Sequence, residues 1–316
     1  MTRLHPVTVL VLAELGLGAG CKRTDAHTVV QSAPEEPAPS AVAAVAPSAT
    51  VPAPTLSAPP TPRACFVDKE CPAGQRCMLP FDGAHTLPGP GQCWTGPMPG
   101  GRPLVVDGVV HVAMASPGST WSAAESLGVA ATQSAWAEGW ADTLRRDAFS
   151  EHASISAFAR TLCQLLALGA PAWLVEKTGA ALQDEIRHAK DCFAWAARLG
   201  GQASSPGALP EAIAPIVCSV HALARDVIRG GCIGETLAAC TAHERAESAP
   251  LPALQALYRT LTTDEARHAA LAYETIRWLA TQDPTLAIVV HEERERFYGE
   301  ASAEDVRRVA PMLALL

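Results

Sequence analysis

Asp184-Glu185-Ile186-Arg187-His188-Ala189 returns eighty residues later as Asp264-Glu265-Ala266-Arg267-His268-Ala269, changed at one position only. Both copies sit in Ala/Leu-rich stretches with helical spacing, where a glutamate and a histidine three residues apart lie next to each other on one face. Each copy also has an upstream partner. Arg145 lies six residues before Glu151, as Arg229 lies six before Glu235, and a small residue, Ser150 or Gly234, precedes each glutamate. Duplication of a helical hairpin explains both pairs at once.

Two such hairpins in one four-helix bundle point Glu151, Glu185, His188, Glu235, Glu265 and His268 at a common centre. Four buried carboxylates are prohibitively costly unless they take up protons or are neutralised. Two divalent ions balance them. Carboxylate-rich ligation with imidazole suits iron or manganese, whereas structural zinc sites favour thiolates and four ligands per ion. Exposed salt bridges would account for one Glu-x-x-His motif, but not for a duplicated pair with matching partner glutamates.

The helices that carry these residues are bounded by breakers. The first spans about 133–168, with a possible break near Asp147; Gly169-Ala170-Pro171 ends it and starts the second, which runs to residue 199. A polar crossover, 200–210, leads to a third over about 213–247, irregular near Gly230-Gly231. Pro250 and Pro252 separate it from a fourth over about 253–281, and a further helical segment, 285–315, breaks near Gly299. The short link inside each hairpin and the long one between them predict a mostly α architecture of two antiparallel pairs over residues 121–316.

The preceding third of the chain is different in kind. Residues 1–21 read as an export signal, with Arg3 and His5 before an apolar stretch from Val7 to Gly20 that is too short for a permanent span. Gly18-Ala19-Gly20-Cys21 resembles the lipidation motif of bacterial lipoproteins, with Cys21 as the acylated residue; an ordinary signal peptide with a chance cysteine is the competing reading. Residues 22–62, rich in Ala, Pro and Ser, form a disordered tether. Residues 63–98 hold Cys65, Cys71, Cys77 and Cys93 with almost no regular pattern and without paired C-x2-C knuckles, so two disulfides of unassigned pairing are favoured over a metal. Within 99–120, Asp107-Gly108 between two valine-rich runs is a hairpin signal.

With 24 basic and 32 acidic side chains and no Lys/Arg cluster to neutralise a run of phosphates, the sequence argues against nucleic acid as a partner.

On residues 130–282 the sequence resembles the ferritin-like di-iron carboxylate superfamily, and in particular bacterial ferritin-like-domain lipoproteins; the D-E-x-R-H form is shared with soluble di-iron monooxygenases and arylamine oxygenases. The resemblance implies two iron ions, or manganese in their place. Glu151 with His188 would serve one and Glu235 with His268 the other, while Glu185 and Glu265 bridge. Asp184 and Asp264 would each orient a histidine, and Arg187 and Arg267 would pair with those carboxylates or fix helix contacts. It implies an envelope-anchored oxidoreductase acting on O2 or peroxide and a small substrate.

Departures narrow the class. Cys192 stands where a ribonucleotide reductase small subunit has its radical tyrosine, and Ala239 where hydrocarbon monooxygenases carry a threonine. The rubredoxin knuckles of rubrerythrin-like peroxidases are missing from 65–93. A shell-forming ferritin would not carry a lipid tether. The other class of reading is a metal-binding or interaction lipoprotein whose Cys-rich module contacts a protein partner. Tyr258, seven residues before Glu265, is expected to be core packing, and Trp136 with Trp140 to seal one end. Cys163, Cys192, Cys218, Cys232 and Cys240 are expected to be small buried residues or unassigned disulfide partners.

Overall fold

The left-handed backbone at Gly169, φ 73°, decides where the first two long helices part. The amide of Ala170 donates to the Leu165 carbonyl at 2.9 Å and that of Gly169 to Leu166 at 3.2 Å, which closes the first helix with a Schellman motif. The computed structural model describes residues 5–16, 64–65, 76–78, 91–94, 102–106, 109–113, 115–122, 135–200 and 203–316. It is mostly helical, with small antiparallel sheets.

Helix α1 is Pro6–Glu14; α2 is Ala135–Ala167 and α3 is Ala172–Gly200. Asp147 does not break α2; it is buried within it. The third helical stretch differs from expectation. Residues Pro210–Ile213 make one 3-10 turn, and the helix proper begins only at α4, Val220–Asp226, where the Ser219 side chain accepts from the Ala222 amide. Pro215 has no amide to contribute to a helix. The carbonyls that the loop leaves free are held from α2: Arg160 donates to Ala214 at 2.6 Å and to Pro215 at 3.2 Å, and Gln164 donates to Val217 at 3.0 Å.

From Val227 to Glu235 the chain is a π-helix before continuing as α5, Thr236–Ser248. Then come α6, Pro252–Gln282, α7, Leu286–Glu300, and α8, Ala303–Leu313. The last two are separated at Ala301–Ser302, where Ser302 caps α8. Helices α2 and α3 pack along their length, as do α5 and α6, and α3 meets α6 between the two pairs.

Two apolar clusters fill the helical body. One contains Phe158, Leu165, Leu174, Ala181, Ala269 and Leu271, the other Leu144, Ala148, Cys192, Phe193, Leu254 and Leu261. Along α2, α3 and α6 the sequence passes from one cluster to the other across Glu151, Glu185 and Glu265. The expected ligands therefore form a polar layer between two dry ones.

The amino-terminal strands are short. β1, Ala64–Cys65, and β2, Arg76–Met78, flank β3, Gly91–Trp94, in register that sets Cys77 opposite Cys93. Cys21, Cys71 and the tether 22–62 lie outside the described residues, as do the side chains of Cys65, Cys77 and Cys93 on which a disulfide reading rests. β4, Leu104–Val106, pairs with β5, Val109–His111, through the expected two-residue connection. The crossover is not a bare link: β6, Ala115–Pro117, pairs with β7, Ser204–Pro206.

The stretch read as an export signal forms α1, whose Val7 and Val11 are fully buried against the first apolar cluster. Its partners are α5, α6 and α8. No described helix is long and apolar enough to cross a membrane.

Candidate metal centre

Four helical elements each bring one glutamate to the polar layer: Glu151 from α2, Glu185 from α3, Glu235 from the last residue of the π segment and Glu265 from α6. All four are buried, together with His188 and His268. Their ligand atoms fall into two overlapping groups within which all lie inside 4.8 Å of one another. One is Glu151, Glu185, His188 and Glu265; the other is Glu185, Glu235, Glu265 and His268. Glu185 and Glu265 belong to both. The six residues read from the sequence are thus brought together, with the two motif glutamates in the shared position.

The orientation of the histidines was not legible. Nδ1 of His188 lies 3.2 Å from Glu265 and 3.8 Å from Glu151, and Nδ1 of His268 lies 3.0 Å from Glu185 and 3.3 Å from Glu265. None of these approaches is aligned as a hydrogen bond. Both Nδ1 atoms, both oxygens of Glu185, Glu235 and Glu265, and Oε2 of Glu151 are buried without a hydrogen-bond partner. Buried polar atoms are almost always paired. A set of unpaired carboxylate oxygens and ring nitrogens around one volume has the donor chemistry of a carboxylate-rich metal site.

The other ring nitrogens point outward and cross between the motifs. Nε2 of His188 is 3.0 Å from Asp264, and Nε2 of His268 is 3.3 Å from Asp184. Arg187 donates to Asp184 at 2.7 Å and to Asp264 at 2.5 Å, while Arg267 donates to Asp184 at 2.6 Å and to Asp264 at 2.7 Å. Each arginine therefore ties both aspartates together. A carboxylate on Nε2 fixes the proton there and leaves Nδ1 free to ligate.

Protonation follows the same geometry. Burial pushes the Glu151 and Glu235 carboxyls well above the usual carboxylate range, and repulsion from Glu185 and Glu265 adds to it. Burial alone would favour neutral histidines, but the aspartates and glutamates around His188 and His268 hold both imidazoles well above their ordinary value. Burial also raises Asp184 and Asp264, yet histidine and arginine partners outweigh it and keep both below the carboxylate norm.

The charges close. Asp184 and Asp264 are matched by Arg187 and Arg267, which leaves four glutamates to be balanced by two divalent ions or by protons. Ala238 and Ala239 are buried one turn past Glu235. A pocket of about 120 Å³, lined among others by Lys177, Ala181, Arg267, His268 and Glu274, reaches the His268 side from the surface.

Two neighbours of the site, Asp147 and Arg102, stand outside the expected set. Tyr258 is core, as expected, but its hydroxyl donates to Asp147 at 3.1 Å, and Arg245 ion-pairs with the same carboxylate. Asp147 stands one turn before Glu151, and that spacing was the available clue. Arg102, from the residues ahead of β4, is buried with its guanidinium over Phe158.

The matching arginines of the repeat do not share a role: Arg145 pairs with Asp142, Arg229 with Glu293. Trp140 packs on Tyr258, while Trp136 is over a third exposed. Cys192, Cys232 and Cys240 are buried and Cys163 and Cys218 exposed, all five as free thiols. Compared with known proteins, the chain matches no family model, no curated protein and no solved structure.

Proposed function

We propose that the helical body is a ferritin-like four-helix bundle and that its polar layer holds two iron ions, with manganese the nearest substitute. The observation that carries this reading is the pair of overlapping four-residue groups sharing Glu185 and Glu265. Bound there, a pair of iron ions supplies Lewis acidity and one-electron steps toward O2 or peroxide. The protein's part is to hold and insulate them. Glu185 and Glu265, which belong to both groups, would serve both ions, Glu151 with His188 would hold one and Glu235 with His268 the other, while Asp264 and Asp184 keep each ring nitrogen aimed inward. The apolar clusters flank the layer on either side.

The class of activity is oxidoreduction of a small substrate. Purified protein loaded anaerobically with ferrous iron should take up two ions per chain and develop ferric absorption when oxygen is admitted. A chain that retains no iron and shows no spectral change would sink the proposal. The sequence at Gly18–Cys21 further supports an exported form anchored in the cell envelope through lipidated Cys21, whose processing would remove α1 and uncover the part of the first apolar cluster that Val7 and Val11 bury. Mass spectrometry of the chain recovered from membranes should find an acylated Cys21 as its first residue, and an intact residue 1 there would overturn the anchor.

A further inference from the structure

Arg102 is 5% exposed, and its Nη2 has no hydrogen-bond partner. A buried guanidinium without a matched anion is costly, because desolvation is not repaid. The structure nonetheless makes room for it. A Cβ on Gly230, in the π segment, would sit 2.8 Å from Cγ and 3.2 Å from Nε of Arg102. The guanidinium carbon lies 5.2 Å from the centre of the Phe158 ring, and that ring in turn lies 5.3 Å from the ring of His268. Glu235 is the foremost negative charge acting on Arg102, followed by Asp226, with Glu185 also contributing. Among the described residues it forms an ion pair with none of them. Its contact with the layer runs through the Phe158 ring, and its charge is unspent.

The charge balance gives this a meaning. With two divalent ions the four glutamates are neutralised, the Asp184/Asp264 and Arg187/Arg267 set cancels, and Asp147 cancels Arg245. Arg102 is then one buried positive charge in excess. From this placement we propose that Arg102 forms an anion subsite of the centre, which receives a small carboxylate-bearing substrate between its guanidinium fork and the metal pair. A planar guanidinium suits a carboxylate, which it can bind through two parallel hydrogen bonds. The inference rests on the di-metal reading and specifies the substrate class for it.

The test uses the full chain, loaded with two irons and oxidised. Azide, a small monoanion, is titrated in and followed by its charge-transfer absorbance, and formate is then added to displace it. Arg102→Gln should keep two irons and bind both anions at least tenfold more weakly, and Arg102→Lys should lose more for formate than for azide. Unchanged affinities with both irons present would overturn the subsite while leaving the di-iron reading intact. If the wild-type chain takes up no iron, both fall together. Should Arg102→Gln fail to fold, Gly230→Ala decides, because it keeps the arginine and drives it from its seat. The same weakening in that variant supports the subsite, and wild-type affinity rejects it.

Discussion

At the scale of single residues, the two roles among the glutamates predict two different losses. Glu151 belongs to one ligand group and Glu185 to both. Glu151→Ala should lower bound metal from two ions per chain to one, while Glu185→Ala should abolish both, as read by elemental analysis of desalted protein. Equal losses would contradict the bridging position. The aspartates act through the rings. Asp264→Asn removes the charge on Nε2 of His188 without changing size, and should weaken metal binding roughly 10–100-fold in a chelator competition. What the sequence made legible at this scale was identity and spacing, because Glu-x-x-His fixes a shared face on any helix. Nδ1 as the inward nitrogen and the crossing of each histidine to the other motif's aspartate are tertiary facts. Both motifs carry an aspartate at the same offset, so no pattern within one helix tells which histidine it serves.

At the scale of the element, the π segment Val227–Glu235 is what sets the fourth glutamate. Its wider turn shifts the register of everything after it, so Glu235 arrives at the layer although the helix begins seven residues later than its composition suggests. Gly230-Gly231 marked the irregularity, and the structure gives each glycine a reason. A Cβ on Gly231 would meet the Cβ of Ala272 at 2.5 Å. Gly231→Ala should therefore cost stability by overpacking, roughly 1–3 kcal/mol, offset by up to about 1 kcal/mol of helix propensity. Urea unfolding that shows a net gain instead would mean that α6 yields freely there. The late start of α4 was hidden because Ile213 and Val217 continue an apolar spacing, yet both are largely exposed beside Pro215. Periodicity marks a face; it does not say that anything covers it.

For the whole molecule, the polar layer links metal, protons and stability. In the metal-free protein His188 and His268 hold protons above their ordinary value of 6.5. The folded state then binds more protons than the unfolded one, so their contribution is present below 6.5 and drains away as pH rises toward the raised values. The melting temperature of metal-free protein should fall as pH is raised above 6.5, and that of metal-loaded protein should not. Metal affinity should rise over the same interval, since binding displaces those protons. A melting temperature of the metal-free form that climbed with pH would reverse the assignment of charge. The two-hairpin plan and the position of the layer could be read from the duplicated motif, whereas the β6–β7 pairing and the burial of α1 join segments far apart in sequence and leave no local trace.

The crossed aspartates also bear on history. Each half of the site is completed by the other: His188 leans on Asp264, His268 on Asp184, and each arginine spans both acids. A lone ancestral hairpin would have held a histidine with no acid to steer it. Such a hairpin would have needed a second copy of itself to complete these contacts. Arg102 and the π segment, neither of which has a counterpart in the other half among the described residues, are where the two halves part company.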